Sequence, residues 1–148
     1  MVANLIANVG GITDIEVLQA ALLHDTVEDT DATPDEIEDR FGYAVRSLVM
    51  EVTDDKNLDK DVRKRLQIEH APHLSRRAKI IKLADKTVNL SDLAVSPPVG
   101  WNLERQREYI SWSDAVAARC QGQNTLLELL YSTKARVAIT NLHPKLNQ

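Results

Sequence analysis

Apolar residues recur along this chain at spacings of three and four, and no segment alternates them in the every-other-residue manner of a half-buried strand. A chain patterned in this way covers its apolar surface by packing helix against helix. Start and stop signals fall between the periodic runs. Val2 to Val9 is a short apolar stretch closed by Gly10-Gly11, and Thr13 or Asp14 is placed to cap the next helix. In that helix Ile15, Leu18, Ala21 and Leu22 share a spacing, and it runs into His24-Asp25. Thr33-Pro34-Asp35-Glu36 joins an N-cap, a proline at the first helical position and a capping-box glutamate, opening a helix that stops near Gly42. Val45, Leu48, Val49 and Val52 mark another, followed by the polar turn Thr53 to Lys56.

Asp59 to His70 reads as a basic helix ended by Ala71-Pro72. Ser75 caps a helix whose buried stripe is Ala78, Ile81, Ala84, Asp85 and Val88. Ser96-Pro97-Pro98-Val99-Gly100 is the clearest break. Beyond it, Leu103, Gln106, Tyr109, Ile110, Val116 and Cys120 predict a long helix ending near Gly122. Asn124 starts a last one carrying Leu126, Leu127, Leu129, Leu130 and Val137. With one such break in 148 residues, the chain reads as a single all-α domain.

Composition narrows the function classes. One cysteine excludes a disulfide framework or a Cys-rich zinc module and fits a reducing compartment. No apolar run is long enough for a membrane span, and the N-terminus lacks the basic start of a signal peptide, so the expectation is a cytoplasmic protein. Charge is unevenly placed: residues 1–39 hold ten acids and no Lys or Arg, whereas all 18 bases and the other twelve acids follow. The split suits a cation site beside a polyanion site, and equally suits solvated helix faces. Lys60 to Arg65 invites a nucleic-acid reading, but the net charge of −4 and the few aromatics argue against one.

Two places carry chemistry. In Leu22-Leu23-His24-Asp25-Thr26-Val27-Glu28-Asp29, a helix ends in His-Asp with two more carboxylates three and four residues on, within reach of one helix face. Imidazole with carboxylates is ligation for a divalent first-row metal; the competing reading is a capped acidic helix end. Asp85 falls on an apolar stripe, where a carboxylate is costly unless paired or metal-bound, with Lys82 or Arg46 as alternative partners. Asn89 lies one turn further on. Cys120 reads as a small buried residue, Trp101 and Trp112 as core, and Tyr109 as a ring placed to stack on a base.

The order His24-Asp25, Glu28-Asp29, then Leu83-Ala84-Asp85-Lys86 with Asn89 resembles the HD-domain phosphohydrolases. More narrowly, ALLHDTVEDTDAT, EVTDDKNLDK, KRLQIEHAPH, AKIIKLADKTVNLSDL and GWNLERQREYISW resemble the small metazoan SpoT-like branch, whose members are guanosine-3′,5′-bis(diphosphate) 3′-pyrophosphohydrolases. The resemblance implies an HD-domain helical bundle, with His24, Asp25 and Asp85 as metal ligands and Mn²⁺ as the usual ion. It implies Glu28 and Asp29 as the catalytic acidic pair, and Lys60, Asn89, Arg105 and Tyr109 as lining of a nucleotide and phosphate pocket. Removal of a phosphate from NADPH is a second activity described for the branch.

In the family a histidine precedes these ligands, in a segment ending His-Pro-Ile-Gly-Val-Ala, and Met1-Val2-Ala3 aligns with its last three residues. The expectation is therefore a bundle over residues 1–148 without the family's leading helix, histidine and basic segment. Such a domain would expose apolar surface on the helix of Ile15, Leu18 and Leu22, and a non-catalytic form with a weak metal site is a third reading. His70, His73 and His143 are ordinary surface or packing histidines in this reading.

Overall fold

The computed structural model describes residues 1–143, in which helices are joined by turns. The order is α1 (Val2–Asn8), α2 (Ile15–Leu23), α3 (Thr26–Asp29), α4 (Pro34–Phe41) and α5 (Tyr43–Glu51). Then come α6 (Lys60–His70), a 3-10 turn (Ala71–His73), α7 (Arg76–Val95), α8 (Leu103–Ala118) and α9 (Thr125–Thr140). The caps are those the sequence advertises. The Asp14 carboxylate accepts from the backbone N–H groups of Glu16 and Val17, Thr33 and Glu36 form a reciprocal capping box, and Ser75, Asn102 and Asn124 each accept from the third residue on. Each such cap contributes about 1 kcal/mol to its helix.

Helix α7 is the axis of the bundle. It packs against α9, α1, α8, α2 and α5, so nearly its whole circumference is covered rather than the single stripe read from its sequence. Ile81, Leu83, Ala84 and Leu90 are fully enclosed, and truncating Ile81 to Ala should cost about 2–5 kcal/mol. A helix enclosed on this scale admits polar side chains only where a site or a partner receives them. Lys82, Asp85 and Asn89, three and four residues apart, fall on one face.

Two faces differ from the sequence reading. On α2 the buried residues are Val17, Ala20 and Ala21, with Leu18 partly covered, while Ile15 and Leu22 are exposed. Small residues face inward there because α2 lies against α5, α7 and α1 at once. On α9, Leu127, Tyr131 and Ala138 are buried, and Leu126, Leu129 and Val137 face outward. Its leucines go almost all round the helix, so spacing does not select a side. Gly10 does: a Cβ there would lie 2.7 Å from the Ile6 carbonyl oxygen and 3.1 Å from Leu127 Cδ1, so only glycine allows Leu127 to seat against the end of α1. The Asn124 amide fixes the same junction by donating to the Gly10 carbonyl at 2.9 Å.

Among the described residues no helix is long and apolar enough to cross a membrane. His70, His73 and His143 are exposed, and Cys120 is buried, its thiol pKa pushed up by that burial.

Candidate active site

Helix α2 stops at the histidine: His24 is its C-cap and Asp25 starts the single turn of α3. This break turns the two side chains toward the middle of α7, where the His24 ring Nε2 lies 3.0 Å from Asp25 Oδ2 and 3.3 Å from Asp85 Oδ1. Residues about sixty positions apart in sequence are thereby in contact. The other ring nitrogen, Nδ1, lies 2.7 Å from the Ala21 carbonyl, a contact that fixes the ring and favours a proton on Nδ1. Nε2 is buried yet makes no hydrogen bond of good geometry, in spite of the two nearby carboxylates.

The electrostatics demand a positive charge here. Burial lowers the proton affinity of the His24 ring, but the Asp25 and Asp85 carboxylates outweigh it and lift the imidazole pKa to about 10. Burial pushes the Asp85 carboxyl up, and the His24 ring, Lys86 and Lys82 more than reverse that, holding it below its ordinary value. Arg46 is not its partner, being engaged with Asp35 and Glu38 of α4. Lys86 stands 3.9 Å from Asp85 Oδ2 and 3.9 Å from the centre of the Trp112 ring.

Among the described residues no three His, Cys, Asp or Glu side chains stand, as they are, in a geometry that holds a metal ion. The trio is instead closed upon itself. Its donor chemistry nevertheless fits a divalent cation: one orphaned imidazole nitrogen with its second nitrogen tethered, and two carboxylates. Asp25, with its side chain 61 % exposed, has room to turn.

Around the trio is a cleft of about 150 Å³ that is also lined by Glu28, Asp54, Gln67, Lys82 and Asn89. Glu28 has its carboxyl pKa raised, first by burial and then by the Asp54 charge, and Arg63 stands 3.5 Å from it. Asn89 and Tyr109 both line the next pocket, of about 200 Å³, together with Trp101. Tyr109 and Trp101 in turn line a shallower cleft of about 480 Å³ with Lys60, Lys64 and Arg105. The three adjoin through shared walls, Asn89 between the first two and Trp101 and Tyr109 between the last two, so together they make a groove of adjoining pockets from the carboxylate end to the basic end.

At the basic end, Trp101, Tyr109 and Trp112 form a ladder with ring centres 5.4 Å apart at each step. Cations lie on it from α6 and α8, besides Lys86 of α7 over Trp112. Arg105 stands 4.4 Å from the Trp101 ring centre and Lys60 6.0 Å from it, while Lys64 is 5.2 Å from Trp112. Burial, and after it the neighbouring charges of Lys60 and Arg105, lower the Lys64 pKa, with Asp61 and Glu108 opposing them. Burial and the Asp85 charge push the Tyr109 hydroxyl up to about 12, so it is a neutral donor at working pH.

The structure thus brings His24, Asp25, Asp85, Glu28 and Asn89 together, and places Lys60, Arg105 and Tyr109 at the other end of the same groove. Asp29 is exposed and lines neither end. Sequence reading missed Asp54, Gln67 and Lys64, named Lys82 only as a partner for Asp85, and took Trp101 for core, against which it packs while also forming groove wall. The signal available for Trp101 was its place directly after the Pro-Gly break. For Asp54 it was a polar turn directly following an amphipathic helix.

Residues 1–111 match the HD domain family model. Over 127 residues, 86 % of this chain and 71 % of the relative, the chain is 57 % identical to guanosine-3′,5′-bis(diphosphate) 3′-pyrophosphohydrolase MESH1 of Xenopus tropicalis. It is 58 % identical to the Homo sapiens protein of the same name over the same shares. Among solved structures, a metazoan ortholog of SpoT that hydrolyses ppGpp superposes with a TM-score of 0.88 at 51 % identity, covering 91 % of this chain and 76 % of that one. The protein lmo0812 of Listeria monocytogenes superposes at 0.76 with 27 % identity, covering 95 % and 92 %.

Proposed function

The chain belongs to the HD-domain family, and from that premise we propose that it is a divalent-metal-dependent hydrolase of guanosine 3′,5′-bis(diphosphate), releasing GDP and pyrophosphate. The observation that carries this reading is the joining of a carboxylate-and-imidazole cluster to a cation-and-aromatic cluster along one groove. A nucleotide with a diphosphate on its 3′ oxygen has the matching parts: a scissile phosphoester for one end, a ring and further phosphates for the other. His24, Asp25 and Asp85 are the residues that would hold the ion, with Mn²⁺ as the proposed species. When bound, a divalent ion supplies Lewis acidity, making water a better nucleophile at neutral pH and drawing charge off the phosphoryl oxygens.

The chain's own groups perform the rest. Arg105 and Lys60 bind phosphate oxygens as fixed cations, and their positions over Trp101 limit how far they can swing. Tyr109 and Trp101 offer faces on which a base stacks, and Asn89, between the two ends, offers an amide to the ribose or the 3′ phosphate. Glu28, whose carboxyl pKa is raised by burial and then by the Asp54 charge, is the group placed to give the departing ribose O3′ its proton. In H₂¹⁸O with Mn²⁺, the label is expected in pyrophosphate and not in GDP, because the P–O3′ bond is the one that breaks. Release of inorganic phosphate without pyrophosphate would refute the reading.

A further inference from the structure

We infer that the chamber adjoining the carboxylate cleft is a subsite for the distal phosphate of a 3′-diphosphate, with Lys82 and Arg63 as the cations that receive it; the substrate is that of the hydrolase reading above. The chamber has a volume of about 240 Å³ and shares Asp54, Gln67 and Lys82 with the cleft of His24, Asp25 and Asp85. The pockets that lead to the basic end leave that cleft by another wall, at Asn89. A phosphoryl group seated at the trio therefore has two neighbouring spaces, one toward the aromatic ladder for ribose and base and one toward the chamber. Lys82 is 7 % exposed, and its ammonium reaches only the Val52 carbonyl, at the long distance of 3.5 Å. The nearby Asp85 carboxylate is already met by the His24 ring and by Lys86. Arg63 Nε and Gln67 Oε1 are also buried without a hydrogen-bond partner, although Arg63 Nη1 stands 3.5 Å from Glu28.

Unmet groups of this kind cost free energy in the empty protein. A terminal phosphate supplies what they lack. Its oxygens accept from the Lys82 ammonium and the Arg63 Nε–H, and its singly protonated form has a hydroxyl to donate to Gln67 Oε1. The acids on the chamber wall are engaged elsewhere. Glu51 accepts from the Ser75 N–H and hydroxyl at 2.8 and 2.7 Å, Asp55 from the Asn57 N–H at 2.9 Å, and Asp54 from the Gln67 amide at 2.6 Å. A single phosphate held at the trio leaves both cations unmet, whereas a diphosphate meets them with its second phosphate. The chamber thus reads the length of the phosphate chain on O3′. It keeps hold of the same phosphate when the P–O3′ bond breaks and pyrophosphate is the product, and neither cation takes part in a proton transfer.

The test uses the full chain with Mn²⁺ in excess and compares the parent with Lys82→Met and Arg63→Lys. Inorganic pyrophosphate and inorganic phosphate are the probes, with affinities measured by titration calorimetry, and kcat/KM is measured on the guanosine substrate. The parent is expected to bind pyrophosphate at least about 10-fold more tightly than phosphate. Lys82→Met should weaken pyrophosphate by about 10- to 100-fold, as loss of a charge-assisted contact does, and leave phosphate within about 3-fold. Its kcat/KM on the guanosine substrate should fall by a similar factor. Arg63→Lys keeps the charge near Glu28 but lacks the Nε–H, and should show the same selective loss at about 3- to 10-fold. Removing an unpaired buried charge should leave the melting temperature of ligand-free Lys82→Met at or above that of the parent. Equal losses of pyrophosphate and phosphate in Lys82→Met, with a lowered melting temperature, would overturn the inference and assign Lys82 to the fold. Near-parental pyrophosphate affinity in both variants would overturn it too, leaving water as the chamber's occupant. If the parent binds pyrophosphate in the Lys82-dependent manner yet releases none from the guanosine substrate, the substrate reading fails and the subsite stands. A parent that binds neither anion overturns the subsite, whether or not it hydrolyses the nucleotide.

Discussion

At one end of the groove Asp25, Glu28, Asp54 and Asp85 crowd an imidazole around about 150 Å³; at the other, Lys60, Lys64 and Arg105 lie along tryptophan and tyrosine rings. The two ends meet their charge in different ways. The basic end is exposed and its cations rest on aromatic faces, an arrangement that persists whether or not an anion arrives. The acidic end is largely enclosed by α7, and its balance depends on a proton on His24 or a cation in its place. The difference teaches where each region's energy comes from. Exposed cations add modestly and are screened by salt, whereas groups in the enclosed cluster are coupled, so losing one changes the state of the rest.

The largest break in this comparison should come from Asp85→Ala, which removes the ligand proposed on the central helix. Metal analysis of the purified variant should find the ion gone, and turnover should fall by more than about 1,000-fold. Normal metal content with normal turnover would sever α7 from the site. Next in size is the basic end. Lys60→Ala combined with Arg105→Ala should raise KM about 10- to 100-fold with a smaller change in kcat and unchanged metal content, and the KM of the parent should rise with salt. Steady-state kinetics across a salt series reads both effects, and an equal loss in metal affinity would show the two ends to be one.

A third prediction separates proton from cation. Because the folded-state pKa of His24 is raised from 6.5 to about 10, its protonation stabilises the metal-free fold fully below about pH 6.5, and that contribution is lost as pH climbs toward about 10. The ion must displace the same proton, so apparent Mn²⁺ affinity should rise about tenfold per pH unit across that window. Titration calorimetry in buffers of different ionisation heat measures the proton released. The smallest effect belongs to the surface: Leu22→Ser should change stability by less than about 0.5 kcal/mol in a denaturant melt, since that side chain is 72 % exposed.

Sequence legibility follows the same division. His24-Asp25 is readable because a helix ends there on two adjacent functional groups, and Asp85 because a carboxylate stands out on an apolar stripe. Caps at Asp14, Thr33 and Ser75 are readable for the same local reason. Asp54 and Gln67 are not, because one lies in a turn with no periodic context and the other among charged residues of a solvated helix; only packing of α6 over the cleft brings them together. The inward faces of α2 and α9 are likewise decided by the fit around Gly10, Ala20 and Ala21, which leucine spacing does not encode.

The most direct trial is a crystal of the protein soaked in Mn²⁺ and measured for anomalous scattering near the manganese edge. One strong peak is predicted within bonding distance of His24 Nε2 and oxygens of Asp25 and Asp85, with the present contacts opened to admit it. Strong peaks confined to other places, with these three side chains still closed on each other at saturating metal, would contradict it.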